Sequence, residues 1–385
     1  MAARSCLVGI VGLLFSLLFT LFFPHSAYAL IRRDSEGEGL SEQFGEEEDE
    51  IYREVTMRIR KTMCTPAGVI LVVPIVCMVF ITACGNGEDP WQEGNGEIKE
   101  DWVLIEPGTF MMGSPEDEPN RTPDERLHEV TLTRAFFIGT TPVTQEQWQK
   151  LVGNNPSGFH PDNTAWEGRG SEVCLDCPVE RVSWWDAVAY ANLLSVEEGL
   201  DECYTLIDCS GEPGQGLGCS GIEVNADDGN PYLCEGYRLP TEAESEYAQR
   251  AGTTTAYHTG PEEGETQEDA MDRAGWHRGN SADGPAPGSD WRTQPVGLLE
   301  PNDWGVYDMH GNVVEMVWDY YGQFPEGQVV DPLGPEVGEH RVRRGGSWLS
   351  LAHDCRAARR RGGRGPAFTI DRMGFRLART KIEVD

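Results

Sequence analysis

The sequence predicts an α+β fold, rich in loops and low in regular secondary structure. Turn formers are dense, with 45 Gly and 24 Pro in 385 residues, which favours many tight turns over long elements. Apolar residues alternate only over short runs, and the helical segments announce themselves by their caps rather than by long amphipathic stripes. No internal repeat or heptad pattern runs through the chain.

Taken in order, Trp102 to Gly113 alternates apolar residues and then turns, so it reads as a strand entering a Gly turn. Val130–Thr133 and Ala135–Ile138 read as the next strand pair. Thr144 can cap a helix reaching about Leu151, with Glu146 and Gln147 in its first turn. Ser183 starts a second helix, where Asp186 favours the positive dipole end. Ala187, Val188, Ala191 and Leu194 follow at helical spacing before Gly199 stops it. Thr241-Glu-Ala-Glu244 is a capping box after Pro240 and opens a short helix ending at Gly252. Short strands are expected near Val313–Trp318 and Arg341–Arg344.

With 39% hydrophobic residues the chain can bury one large core or two small ones. Its formal net charge of −33 would repel a phosphate backbone or an anionic lipid surface, which argues against nucleic acid as a partner. Two apolar runs crowd the N-terminus. Leu7 to Phe23 is followed by Ala27-Tyr28-Ala29, a signal-peptide cleavage pattern. The second run has a basic start (Arg58, Arg60, Lys61), an apolar stretch from Ala67 to Phe80 and the ending Ile81-Thr-Ala-Cys84. That ending resembles the lipobox of a bacterial lipoprotein, in which the Cys84 thiol is acylated. Both runs are short for a full membrane span.

The expected organisation is then an N-terminal extension with a signal-like segment at 1–56, with the true start at Met57. A lipoprotein signal peptide follows at 57–84, a flexible tether rich in Gly and acid at 85–101, and one domain at 102–380. The expected location is outside the cytoplasm, as a periplasmic or outer-membrane lipoprotein held to the membrane by its lipid anchor.

Cys174, Cys177, Cys203, Cys209, Cys219 and Cys234 cluster in a Cys-rich insertion at 174–234, and Cys355 stands apart. In an oxidising compartment such a cluster is expected to pair as disulfides that staple a segment too small for its own core. Cys174-Leu-Asp-Cys177 has zinc-ligand spacing too, but no His pair completes a tetrahedral set nearby.

Seven segments together resemble the formylglycine-generating enzyme, or sulfatase-modifying factor, family. They are Pro107–Gly113, Thr141–Thr144, Pro178–Asp186, Tyr237–Glu244, Asn302–Glu315, Arg344–Trp348 and Met373–Leu377, in the family's order across the whole domain. The resemblance implies a fold related to C-type lectins, with structural calcium. Read from the residues alone, Asp308-Met-His-Gly311-Asn-Val313-Val-Glu315 offers two carboxylates flanking a Gly turn with carbonyls between, the hard oxygen donors that calcium takes. The resemblance assigns Asp308 and Glu315 as carboxylate ligands and Gly311 and Val313 as carbonyl ligands. A second family calcium site matches at Asn280 and Ser281, with its acid at Asp290 because Gly288 stands at the family's position.

Arg356, Arg359, Arg360, Arg361 and Arg364 form a basic cluster, expected mostly to pair with the domain's own acids. His310 is expected to pack within the calcium loop, and His353 beside Asp354 has the makings of an acid–base pair. Authentic formylglycine-generating enzymes place one cysteine two residues after the aromatic of Gly-Gly-Ser-Trp and a second five residues further on. Those two thiolates hold copper(I), a soft ion. Here Ser350 takes the first position, and the segment down to Arg359 is shorter than in the enzymes, which sets Cys355 out of register with the second.

Ser347, Ser350 and Cys355 are therefore the candidate catalytic residues of a site without its thiolate pair. The expected function is a calcium-stabilised surface binding module for a protein, peptide or glycan. The alternative is an oxidoreductase of the same family that uses copper or non-haem iron on a protein or small-molecule substrate.

Overall fold

The structure is a computed structural model that describes residues 102–159, 174–282 and 291–382. The signal-like segments, Cys84, the tether and Asp290 lie outside the described residues. Pro107 splits the first predicted strand, since it has no N–H to donate to a ladder. The two pieces are β1 (Trp102–Ile105) and β2 (Gly108–Met112).

Three small sheets follow. β1 pairs antiparallel with β4 (Phe136–Gly139), whose other edge takes β13 (Ala378–Thr380). β2 pairs with β3 (His128–Leu132), and β10 (Val329–Val330) adds to β3 in parallel. β9 (Val314–Tyr320) is central in the third sheet, between antiparallel β11 (Arg341–Arg344) and parallel β12 (Met373–Gly374). The expected pairing of β3 with β4 is therefore corrected: they lie in different sheets. No residue between them adopts the positive φ of a tight hairpin. The Thr133 N–H and hydroxyl both go instead to the Asp331 carboxylate, at 2.8 and 2.5 Å, beyond the end of β10.

The three predicted helices form behind the predicted caps. They are α1 (Gln145–Val152), α2 (Trp184–Glu197) and α3 (Glu242–Arg250), with capping boxes Thr144/Gln147, Ser183/Asp186 and Thr241/Glu244. A fourth box, Thr266/Asp269, opens α4 (Gln267–Ala274), an element the sequence reading missed among the surrounding acids.

Glu244 has a second role. Its carboxylate meets the Arg238 guanidinium through two bonds of 2.7 Å, both side chains fully buried, so one acid caps α3 and ties it to the strand-like segment before it. Trp148, Trp184, Val188, Leu239 and Phe375 form the main core around α1 and α2. A second cluster under β1–β4 centres on Val130, Phe136 and Ile138.

All six clustered cysteines pair. Cys203–Cys234 closes a small ribbon of β5 (Tyr204–Ile207) with β8 (Gly221–Val224), and Cys209–Cys219 closes the nested hairpin of β6 (Ser210–Glu212) with β7 (Gln215–Gly218). Cys174–Cys177 is a separate clip ahead of Pro178. Cys355 is free and buried. The ribbon docks on α2 through Asn192, whose amide both donates to and accepts from the Tyr204 backbone, at 2.6 and 3.1 Å. Among the described residues no helix is long and apolar enough to cross a membrane.

Candidate functional site

β9 sets the site, because the acidic loop precedes it and the Gly-Gly-Ser-Trp turn follows its neighbour β11. Glu315 lies opposite Arg344 on one side and Gly374 on the other. Two residues past Gly374, Arg376 brings its guanidinium back onto Glu315, with bonds of 2.6 and 2.7 Å to the two oxygens. Asp308, at φ 54°, accepts from Gly297 N–H at 2.7 Å and Asn312 Nδ2 at 3.3 Å. Burial pushes its carboxyl up to about 6, and the nearby Glu315 charge adds to the rise.

Gly311 turns at φ 89°, where a Cβ would stand 2.0 Å from the Trp276 carbonyl, so only glycine serves. Among the described residues, no hydrogen bond reaches the Gly311 or Val313 carbonyl. The four predicted calcium donors therefore lie on one loop and offer oxygen only. Asp308 lacks a full counter-charge, which suits a cation. Glu315 is already matched by Arg376, so a cation would share it.

At the second predicted calcium site the donor atoms have other partners. The Asn280 amide accepts from His277 N–H and donates to the Gly275 carbonyl, at 2.8 and 3.1 Å. The Ser281 carbonyl accepts from Gln294 Nε2, and its hydroxyl donates to the Trp348 carbonyl at 2.7 Å. This pair closes turns, and Asp290, the acid expected with it, lies outside the described residues.

The three candidate catalytic residues do come together. Beyond β11, the turn Gly345–Ser350 folds so that the Ser347 N–H donates to Ser350 Oγ at 3.0 Å, with the two hydroxyls 3.1 Å apart. The Cys355 sulfur lies beside both the Ser347 backbone and the Ser350 hydroxyl. Gly346, at φ 76°, makes the close approach feasible, because a Cβ there would stand 2.5 Å from that sulfur.

This corrects the register expected for Cys355. Five residues from Ser350 is Cys355 itself, so the shortening of the segment falls after it. The position of the second cysteine is kept and that of the first is a serine. Burial, followed by the Asp354 charge, pushes the Cys355 thiol up to about 12, so it is neutral at physiological pH.

A cleft of about 340 Å³ opens over this turn. Arg343, Arg361, Arg364 and Arg372 line it, together with the Ser350 hydroxyl and an apolar face of Val314, Leu349, Phe368, Ile370 and Met373. Most of the predicted basic cluster pairs internally, as expected. Arg356 meets Glu118 and Glu125, and Arg360 meets Glu242. Asp354 is shared between Arg359, at 3.3 Å, and Arg361, at 2.7 Å. The Asp354 carboxylate is thus held by arginines, so no acid–base pair with His353 forms. His310 is fully buried, with Nδ1 on the Cys355 carbonyl at 2.7 Å.

Arg343 and Arg372 were missed in the sequence. The signal for Arg343 was the alternation of β11, where Arg344 points to a buried acid pair and its neighbour must face the other way.

Short capped helices, three small sheets and a Gly-Gly-Ser-Trp turn beside an acidic loop define the sulfatase-modifying-factor class of fold. The Sulfatase-modifying factor enzyme 1-like domain matches residues 91–381, and the chain belongs to that family. Chaperone protein LppX of Paenibacillus barcinonensis is 31% identical over 290 residues, covering 72% of this chain and 86% of that protein. The formylglycine-generating enzyme of Thermomonospora curvata is 30% identical over 280 residues, 67% of this chain and 86% of the enzyme. Among solved structures, Treponema denticola variable protein 1 superposes with a TM-score of 0.56 at 30% identity, over 73% of this chain and 95% of that one.

Proposed function

We propose that this chain is an exported, lipid-anchored binding module of the sulfatase-modifying-factor family, steadied by calcium, that has given up the oxidase chemistry. The observation that carries this is the Ser350–Cys355 pair. Copper(I) oxidation needs two soft thiolates on one ion. Here one position is a hard hydroxyl, so the chain offers a copper(I) ion at this turn one sulfur, that of Cys355, and not two. Fold alone conveys no activity, so membership of the family does not restore what the two positions lack.

Three disulfides suit an oxidising compartment, which supports the export reading of Ile81–Cys84. Similarity to a protein named as a chaperone supports binding rather than oxidation. Calcium would be held by Asp308, Glu315 and the Gly311 and Val313 carbonyls. It would supply charge compensation to the Asp308 carboxylate, with Arg376 keeping its hold on Glu315.

The test is oxidation of a Cys-x-Pro-x-Arg peptide by the reduced, copper-loaded protein in air, read as the mass change from thiol to aldehyde. Silence in wild type and in Cys355→Ala is expected. Turnover that vanishes in Cys355→Ala would overturn the reading and restore the oxidase.

A further inference from the structure

The cleft over Ser350 departs from the pairing that five buried arginines of this domain follow, while Arg341, also buried and without an acid among the described residues, packs instead on the Trp184, Trp318 and Tyr320 rings. Arg238, Arg344, Arg356, Arg360 and Arg376 are buried, and each meets a glutamate directly. A chain with 64 acidic residues against 31 basic ones has acids to spare. Yet Arg343, Arg361, Arg364 and Arg372 face one cleft with only Asp354 and Asp371 as counter-charges among the described residues. Two positive charges are left over.

Arg343 is the sharpest case. Its Nε is buried without a hydrogen-bond partner, and its one bond, from Nη2, goes to the Gly362 carbonyl. Burial, followed by the charges of Arg361, Arg364 and Arg372, brings its guanidinium down to about 10, so this group is held in place against its own electrostatics. Arg364 lies over the Phe368 ring, 4.6 Å from its centre, aligned by stacking rather than by a salt bridge.

We infer that this cleft binds a phosphate monoester carried on an apolar or aromatic group. A phosphate monoester carries about −1.5 to −2 charge near neutrality, which matches the excess, whereas a carboxylate or a sulfate ester carries one negative charge. Guanidinium forks suit its several oxygens. Phe368, Ile370 and Leu349 supply the apolar wall for the group that bears it. The inference rests on the binding-module reading, since a site that turns over thiol peptides would present a different surface.

The experiment titrates the full chain calorimetrically with phenyl phosphate, phenyl sulfate, benzoate and inorganic phosphate. Phenyl phosphate is expected to bind at least about tenfold tighter than benzoate and tighter than inorganic phosphate, and to weaken with salt. Arg343→Gln and Arg364→Gln should each lose about tenfold. Arg364 is exposed and, among the described residues, makes no salt bridge, so that variant separates binding from folding. Arg126→Gln, at an exposed pair with Glu326, should change nothing.

Benzoate or phenyl sulfate binding as tightly as phenyl phosphate would overturn the assignment. So would unchanged affinity in both cleft variants. A flat titration together with a silent aldehyde assay would overturn the ligand class alone, while aldehyde turnover would overturn the reading beneath it.

Discussion

Replacing Glu180 with Gln should flatten the dependence of stability on pH. Glu180 is fully buried ahead of α2, where Oε1 accepts from the Gly158 and Phe159 N–H groups and Oε2 has no partner. Burial raises its carboxyl from 4.5 to about 8, against the pull of those two N–H groups and of Arg181. The folded chain therefore keeps a proton that the unfolded chain releases above 4.5. Stability falls as pH rises through that window, and the fall is complete above about 8.

At about 1.4 kcal/mol per pH unit, the span from 4.5 to about 8 sets a ceiling on the order of 5 kcal/mol. For a domain of this size that is about 10 °C in Tm. Gln copies the neutral acid and cannot ionise. Melts at pH 5 and pH 8 should show wild type losing several degrees more than Glu180→Gln, with the variant the more stable at pH 8. Asp308 and Asp319, raised to about 6 and about 7, slope the same way but cancel in the comparison. Parallel pH profiles for the two proteins would refute the reasoning.

Chelator should lower the Tm of wild type and leave Asp308→Asn unmoved, since calcium at a hundredfold excess over its Kd adds about 2.7 kcal/mol. Equal melts with and without chelator would make the loop an ordinary turn. Glu244→Ala strands the buried Arg238 charge and uncaps α3, so it should cost about 3–5 kcal/mol in denaturant unfolding; a loss below 1 kcal/mol would contradict the buried-pair account. Mass spectrometry of the exported protein should find an acylated N-terminal Cys84, and a soluble form beginning at Leu30 would refute the lipid anchor.

The caps were legible in the sequence because a cap is a local device: Thr144, Ser183 and Thr241 each bond within three residues. So were the disulfide-forming cysteines and the family motifs. What stayed hidden is long-range. Nothing near Thr133 says that Asp331 will take its N–H and send β3 and β4 into separate sheets. Nor does the loop Asp308–Glu315 reveal that Arg376 will claim both Glu315 oxygens from across β12.

The candidate site shows the same division. Ser350 was visible as a substitution, whereas the contact of Cys355 with it appears only once the turn is folded. Arg343, within β11, and Arg372, just ahead of β12, become one cleft only in three dimensions.

The central claim is that position 350 decides the chemistry. Copper(I) affinity under reducing conditions, compared among wild type, Ser350→Cys and Cys355→Ala, tests it directly. The hydroxyl of Ser350 lies beside the Cys355 sulfur, so a second sulfur there completes a pair that a soft ion prefers. Wild type and Cys355→Ala should bind copper(I) no better than an unrelated protein, and Ser350→Cys should gain tight binding. Tight binding by wild type that Cys355→Ala abolishes would contradict the account.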